Sequence, residues 1–355
     1  MKDTIPTAPF GFLPFNKPKG MTSRDLANRI QRRLRRENEN RKLKVGHTGT
    51  LDPLASGLVV LAVGSATRLT PWMLKPTKRY VATFRLGAHS ESGDLEEPVI
   101  EIADAVMPTR SQVEQALTGF SGWVDQTPPT HSAIWVNGER AHERIRRGEE
   151  VEMPTRRVWL GAIELLRYEP PIIQIDVTCG SGTYLRSLGI DIAAACQTAA
   201  VMTALVRTEV GRFDLDSAID CIPPNDPPPV PGMPLRHELT PMSDLEEVTG
   251  SPWLTDSVRS PIPALAHMPR MDLDRVDAYR VRNGLYVTGE PATPDCLAVP
   301  PEDPNPKPNL EGDPYTAGEM ITVDPAGELV AIMRLKKGEW APFRVFAPTS
   351  DQLQS

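Results

Sequence analysis

Seven prolines stand between residues 223 and 234 of this 355-residue chain. Proline fixes φ at about −65° and lacks a backbone donor, so neither a helix nor an interior strand can run through such a stretch. Residues 221–235 therefore read as a stiff extended linker, and few contacts are expected to cross it. Residues 1–10 read as a flexible tail. Residues 11–220 are long enough to bury a proper interior. Residues 236–355 read as a small, mostly β module, and eight prolines between 291 and 314 mark a disordered insertion within it.

The net charge of −7 looks wrong for a partner of polyanions, but its distribution says more than its sum. Residues 1–80 hold 16 Lys/Arg against 5 Asp/Glu, whereas the other 275 residues hold 23 against 41. The excess peaks from Arg29 to Lys44, where Arg32, Arg33, Arg35, Arg36, Arg41 and Lys42 crowd together. Such a block is either a solvated helix face or a surface that neutralises phosphates. Its place just ahead of the most unusual loop in the chain favours nucleic acid. No run approaches the roughly 18 apolar residues of a membrane helix, and the first thirty residues lack the apolar core of a signal peptide. The four cysteines (Cys179, Cys196, Cys221, Cys296) are far apart and form no CxxC pair. That argues against a structural zinc or a disulfide scaffold and suits a reducing cytoplasm.

Patterning predicts the elements. Gly11 to Asn16 reads as a strand, followed by a Lys17-Pro18-Lys19-Gly20 turn. Thr22 or Ser23 caps a helix whose Leu26, Ile30 and Leu34 recur at helical spacing. Leu58–Val63 reads as a buried strand, Thr67–Leu74 as helix and Arg79–Leu86 as a half-buried strand. Ser111–Leu117 is a short helix, and Val158–Leu166 and Ile172–Cys179 are strands. Leu185–Cys196 and Ala199–Leu205 read as helices. Beyond the linker, strands are predicted at 278–281, 285–287, 320–323, 329–335 and 343–346.

The chemistry concentrates in Gly46-His47-Thr48-Gly49-Thr50-Leu51-Asp52-Pro53-Leu54-Ala55-Ser56-Gly57. Three glycines and a proline in this span force a loop that can approach a ligand closely. It lacks the GK[ST] ending of a phosphate-binding P-loop. Its single acid, Asp52, falls short of a glycosidase pair or a metal cluster. Taken alone, an aspartate before proline is most often a turn residue, and His47 has no second His or Cys at ligand spacing.

These residues nevertheless resemble the signature loop of TruB-type tRNA pseudouridine synthases, in which the aspartate is the nucleophile. Four further segments agree in order. GFLPFNKPKGMTS is similar to the family's opening strand and KPxGxTS turn, which carries Lys17 and Lys19. KRYVATFRLG is similar to the strand bearing an active-site tyrosine, here Tyr80. QTPPTHSAIWVNGERAHERIRRGEEVE, about residues 126–157, is similar to an inserted RNA-contacting segment. CGSGTYLRSLGIDI is similar to the GTYIR motif, with Tyr184 and Arg186. The resemblance covers roughly residues 11–215.

The resemblance implies an α/β (α+β) pseudouridine synthase fold around a mixed, largely antiparallel sheet, with the C-terminal module in the place of a PUA-like domain. It implies isomerisation of a uridine in the T-arm of tRNA (uridine 55) by base flipping, with no cofactor, no metal, no membrane and no obligatory protein partner. Asp52 would carry the covalent step, whether by attack at C1′, addition to the ring or initial removal of a sugar proton. Tyr80 would stack on the flipped base, and Arg186 would pair with Asp52 and keep it ionised. His47, Tyr184, Leu205, Lys17 and Lys19 would line or bind the substrate.

The chain also departs from the family pattern. Asn16 replaces an aspartate, Ser181 a lysine and His131 a tyrosine. The acidic TDTxD segment is replaced by His89-Ser90-Glu91-Ser92-Gly93-Asp94. These departures touch the RNA contacts, and leave the nucleophile, the tyrosine and the arginine in place. Two rival readings share the scaffold: a catalytically silent RNA-binding or tRNA-folding protein, and an RNA-guided synthase subunit. Intact Asp52, Tyr80 and Arg186 oppose the first. The wording of the signature loop and the lack of a long lysine-rich tail oppose the second.

Overall fold

The computed structural model describes residues 9–129, 135–136, 139–140, 144, 147–149, 151, 153–221, 254–294, 299–304 and 318–347. Most of the 126–157 insertion, His131, Cys296, the linker after Cys221 and most of the 291–314 stretch lie outside the described residues.

The N-terminal part is built on one sheet. Its strands are β1 (Gly11–Lys17), β2 (Val45–His47), β3 (Ser56–Val63), β4 (Lys78–Leu86), β7 (Gly122–Gln126), β10 (Arg156–Glu169), β11 (Ile172–Cys179), β12 (Ala200–Val210), β13 (Phe213–Asp214) and β14 (Ile219–Asp220). The short pairs β5 (Ala88–His89) with β6 (Ile100–Glu101), and β8 (Trp135–Val136) with β9 (Glu139–Arg140), stand apart from it. The sheet order is β14–β1–β3–β12–β4–β11–β10–β7, with β2 added to β3 and β13 to β12. β1 runs parallel to β14 and β3 parallel to β12, and the remaining pairings are antiparallel.

Strand β3 explains why its sequence is apolar throughout. Val59, Leu61 and Val63 enter one core with Leu13 and Phe15 of β1 and with Leu26, Ile30 and Leu34 of α1 (Ser23–Glu37). Leu58, Val60 and Ala62 enter a second core on the opposite face. A strand covered on both faces reads as a continuous apolar run rather than an alternation. Helix α1 begins with the Thr22–Asp25 capping box. Helices α2 (Thr70–Met73) and α3 (Arg110–Leu117) flank the sheet, and α4 (Leu185–Ala195) lies directly on β4. There Gly189 is required by contact, since a Cβ would sit 2.0 Å from the Phe84 ring.

Two expected elements are corrected. Residues 199–205, expected as helix, form the start of β12, which lies between β3 and β4. Its short run of small apolar residues fits a buried helix or a buried strand equally, and the neighbouring strands decide. Residues 278–281, expected as strand, lie within the later helix Arg275–Arg282, where Ala278 and Val281 are both buried at helical spacing. Of 285–287, Val287 makes an isolated bridge to Trp340.

Beyond α5 (Pro261–Ala264), the C-terminal sheet runs β15 (Arg270–Asp272), β16 (Glu319–Val323), β17 (Leu329–Lys336) and β18 (Glu339–Val345), with α6 (Arg275–Arg282) packed on β17 and β18. The expectation of few contacts across the linker is also corrected. Ile321, Val323, Leu329, Ile332 and Phe346 share a buried cluster with Phe12, Leu58, Val60, Leu69, Trp72 and Met73. Trp72 Nε1 donates to Glu319 Oε2 at 2.7 Å, and Arg334 Nε to Glu319 Oε1 at 2.8 Å. Phe10 stacks on Phe346 with ring centroids 5.3 Å apart.

A chain ending at residue 221 therefore leaves the second face of β1 and β3 uncovered. It is expected to aggregate, or to melt well below the full-length protein, because exposed apolar patches of this kind are not tolerated on a soluble domain. A monodisperse truncated protein with an unchanged melting temperature would show that the two sheets have independent cores.

Candidate active site

The loop joining β2 to β3 has almost no internal structure, yet it is held along its length. Thr48 N and Oγ1 both donate to Val60 O, at 3.0 and 3.1 Å. Arg207 Nη2 donates to Gly49 O and Nη1 to Thr50 O, each at 3.1 Å. Ser23 Oγ donates to Leu51 O at 3.0 Å and accepts from Leu51 N at 2.8 Å. Gly20 N donates to Pro53 O at 2.7 Å, and Lys17 Nζ to Ala55 O at 2.6 Å. Leu51 and Pro53 on either side of Asp52 are thus fastened, while the side chain of Asp52 itself remains 43% exposed.

Arg186, in the first turn of α4, lies beside that carboxylate. Its Nη2 is 3.7 Å from Asp52 Oδ2, an ion-pair distance too long for a hydrogen bond. The guanidinium is instead oriented from behind. Nη1 donates to Ser92 O at 2.9 Å and lies 3.3 Å from Asp94 Oδ2. Asp94 is buried, and Ser92 Oγ and the Glu96 amide both donate to its Oδ1, at 2.6 and 2.9 Å. One carboxylate aims the arginine, and the other is left open to a substrate.

Tyr80 projects from β4 and pairs across the sheet with Val177 and Arg207. Burial pushes its phenol pKa up, the Arg207 charge pulls it down, and the Cys179 and Asp52 charges raise it. The phenol therefore holds its proton at neutral pH. Leu205 lies two residues before Arg207 on β12, buried in the core that Tyr80 packs against. His47 ends β2 with Nδ1 buried and without a hydrogen-bond partner. Burial, then Arg24 and Arg207, depress its pKa, so the ring is neutral and keeps an unmatched polar atom.

Tyr184 stands at the head of α4, its amide donating to Gln126 Oε1 at 2.8 Å and its carbonyl accepting from Gln126 Nε2 at 3.1 Å. Its ring lies between Arg156, 4.9 Å from the centroid, and Arg186, at 6.0 Å. Arg156 also donates to Gly182 O.

The expected substrate contact at Lys17 is corrected. Its side chain is fully buried, and Nζ donates to Pro18 O, Met21 O and Ala55 O at 2.9, 2.8 and 2.6 Å. With three donors directed to three carbonyls, it pins the turn to the loop from beneath. Lys19 lies half-buried in the same turn.

The structure brings Arg186 beside Asp52 and sets Tyr80 within reach of the Asp52 charge, and it adds Asp94 and Arg207, which the sequence reading had not singled out. The signal for Asp94 was present: Ser90, Ser92 and Asp94 take the places of the two threonines and the last aspartate of TDTxD. Arg207 was hidden by reading the head of its strand as a helix, although an arginine inside an apolar run is itself a signal. Among the described residues, no group of three His, Cys, Asp or Glu side chains is placed to hold a metal ion.

Comparison with known proteins adds to this geometry. The model for the N-terminal domain of TruB family pseudouridylate synthases matches residues 35–185. The chain is 48% identical to tRNA pseudouridine synthase B of Rhodopirellula baltica, over 98% of this chain and 97% of that protein. It is 44% identical to the tRNA pseudouridine synthase B of Bacteroides thetaiotaomicron, over 58% of this chain and 88% of that one. A Cbf5–Nop10–Gar1 complex matches in fold with a TM-score of 0.63 at 22% identity, covering 96% of this chain and 86% of that chain. An H/ACA ribonucleoprotein bound to a substrate RNA containing 2′-deoxyuridine gives 0.61 at 21%, covering 98% and 92%.

Burial, with the Arg207 charge next, lowers the pKa of Lys17 from 10.5 to about 7, against raising charges from Asp52 and Cys221. Unfolding thus takes up a proton between those two values, so stability should rise as pH increases from about 7 to 10.5. Lys78, lowered to about 8, contributes in the same window, so the readout is the difference between wild type and Lys17→Met. The variant should show a flatter pH slope in chemical denaturation. It should also be less stable by about 2–3 kcal/mol near pH 7, because three buried carbonyls lose their donor. An unchanged slope would show that Lys17 is not the titrating group.

Proposed function

The chain belongs to the TruB family of pseudouridylate synthases, and from that premise we propose how it acts on tRNA. It is an isomerase that makes pseudouridine in tRNA, and its target in this reading is a uridine of the T-arm, flipped out of the stack into the cleft above β4 and β12. The observation that carries the reading is an open carboxylate, Asp52, set beside an arginine that a second, buried carboxylate holds in place.

The reaction breaks C1′–N1, turns the uracil, joins C5 to C1′ and moves one proton from C5 to solvent while N1 regains one. No electrons are exchanged, so the reading calls for no redox cofactor, and it assigns every step to side chains of this one chain, working in the cytoplasm. Asp52 forms the covalent link that keeps base and sugar together while the base turns. Arg186 lies at the edge of that carboxylate, where it steadies negative charge before and after the link forms. The Tyr80 ring lies against the flipped base, and its protonated hydroxyl is placed for proton transfer. Neutral His47, half-buried at the end of β2, lines the site as an uncharged ring.

Affinity is assigned elsewhere. Arg32, Arg41, Lys42 and Lys44 are exposed on α1 and the segment after it, whereas Arg35 donates to Leu43 O and Arg33 pairs with Glu37. Replacing Arg32 and Arg41 with glutamate should lower the slope of log affinity against log salt by about 1 for each phosphate that is no longer neutralised. An unchanged slope would return this face to a solvated surface.

The reaction itself is tested on an unmodified tRNA transcript, with pseudouridine mapped afterwards. Asp52→Asn should abolish product while binding persists, because phosphate contacts carry affinity. Product from the purified variant would remove Asp52 from its role. Tyr80→Phe should fall by roughly 10²–10⁴-fold with binding preserved. Tyr80→Leu should lose a further stacking contribution of roughly 1–3 kcal/mol. Full turnover in both would make Tyr80 an ordinary strand residue.

A further inference from the structure

We infer that Arg207 is a positioning residue of this isomerisation: it ties the Asp52 loop to the strand beside Tyr80, so that nucleophile and phenol meet the substrate as one rigid pair. The inference deepens the reading of Asp52 and Tyr80 above and rests on it.

Arg207 is 2% exposed, and its donors diverge. Nε donates to Leu58 O at 2.7 Å, at the start of β3, while Nη1 and Nη2 reach Thr50 O and Gly49 O, just ahead of Asp52. On the other side it is the cross-strand partner of Tyr80, close enough for its charge to pull that phenol's pKa down against burial. One planar group therefore holds the loop and the strand after the loop, from the β12 position directly across the sheet from Tyr80. Among the described residues no carboxylate pairs with it, and its donors go to three backbone carbonyls.

The backbone is shaped to allow this. Gly57 has φ +102°, and a Cβ there would lie 2.4 Å from Arg207 O. Only glycine lets β3 come this close to β12 and bring the loop within reach of the guanidinium. The other ties of the loop, at Leu51 by Ser23 and at Ala55 by Lys17, do not involve Arg207. Without Arg207 the loop stays attached at those points and loses its hold on Gly49 and Thr50. Asp52 then shifts relative to Tyr80, which affects the rate and spares RNA contacts made elsewhere. Lysine keeps the charge but not the fork that reaches separate carbonyls.

The test compares wild type, Arg207→Lys and Arg207→Gln on the tRNA transcript. It measures single-turnover rate at saturating enzyme, tRNA Kd and thermal unfolding. The inference expects both variants to fold cooperatively and to lose about 10²-fold or more in rate, the scale of a small misplacement of reacting groups. Their Kd should stay within about threefold of wild type, since phosphate contacts are untouched. Adding Tyr80→Phe to Arg207→Gln should then cost little more than the worse single change, because residues that act as a unit are not additive. A wild-type rate in Arg207→Gln, a Kd increase that accounts for the rate loss, additive effects with Tyr80→Phe, or failure of both variants to fold would each overturn it. An inactive wild type would overturn the functional reading together with this inference, and the wild-type arm shows which has failed.

Discussion

The site depends on buried cations donating to the carbonyls of a loop that has no secondary structure of its own. Between His47 and Gly57 the backbone cannot satisfy itself, because its glycines and Pro53 disfavour a regular ladder. Lys17 and Arg207 take up the exposed carbonyls instead, with Ser23 and the Gly20 amide completing the set. Burying a cation is unfavourable, and at Lys17 the three carbonyls offset that cost only in part, since its pKa falls to about 7. Loop and cations therefore require one another, and Asp52 is fixed in space without any bond to its own carboxylate from the loop.

The same logic appears one layer out. Arg186 does not wait for Asp52 to orient it, because the buried Asp94 already does so. If Asp52 were the arginine's main partner, its carboxylate would be held in a close pair and lose its exposure. Dividing the task between two carboxylates keeps one constrained and one open. The field from Arg24 and Arg207 then helps burial keep His47 neutral.

The sheet beneath is covered on both sides, by α1 and α4 on one face and by α2 with the C-terminal sheet on the other. The catalytic face and the C-terminal module thus share strands β1 and β3, residue by residue. Leu13 and Phe15 of β1 serve the first and Phe12 the second. The C-terminal module is part of the fold's stability, whatever it contributes to RNA.

Much of this was legible in the chain itself. The capping box of α1, the apolar run of β3 and the strands β1, β4, β10 and β11 follow from local periodicity and turn chemistry, which act over a few residues. The signature loop with Asp52, and the motifs with Tyr80 and Arg186, could be read because they are contiguous. What the chain did not show is what depends on partners far away in sequence. β12 is a strand because β3 and β4 flank it, and 278–281 is helical because the buried spacing favours three residues over two. Lys17 looks like a phosphate contact in a basic turn until the carbonyl of Ala55, 38 residues on, accepts its hydrogen bond. Arg207 meets Gly49 and Thr50 from more than 150 residues away. Sequence determined the loop that carries Asp52, because its glycines and proline act locally. The tertiary structure alone decided which cations are buried and hold that loop and which stay on the surface, because burial and hydrogen-bond partners exist only once the sheet has closed.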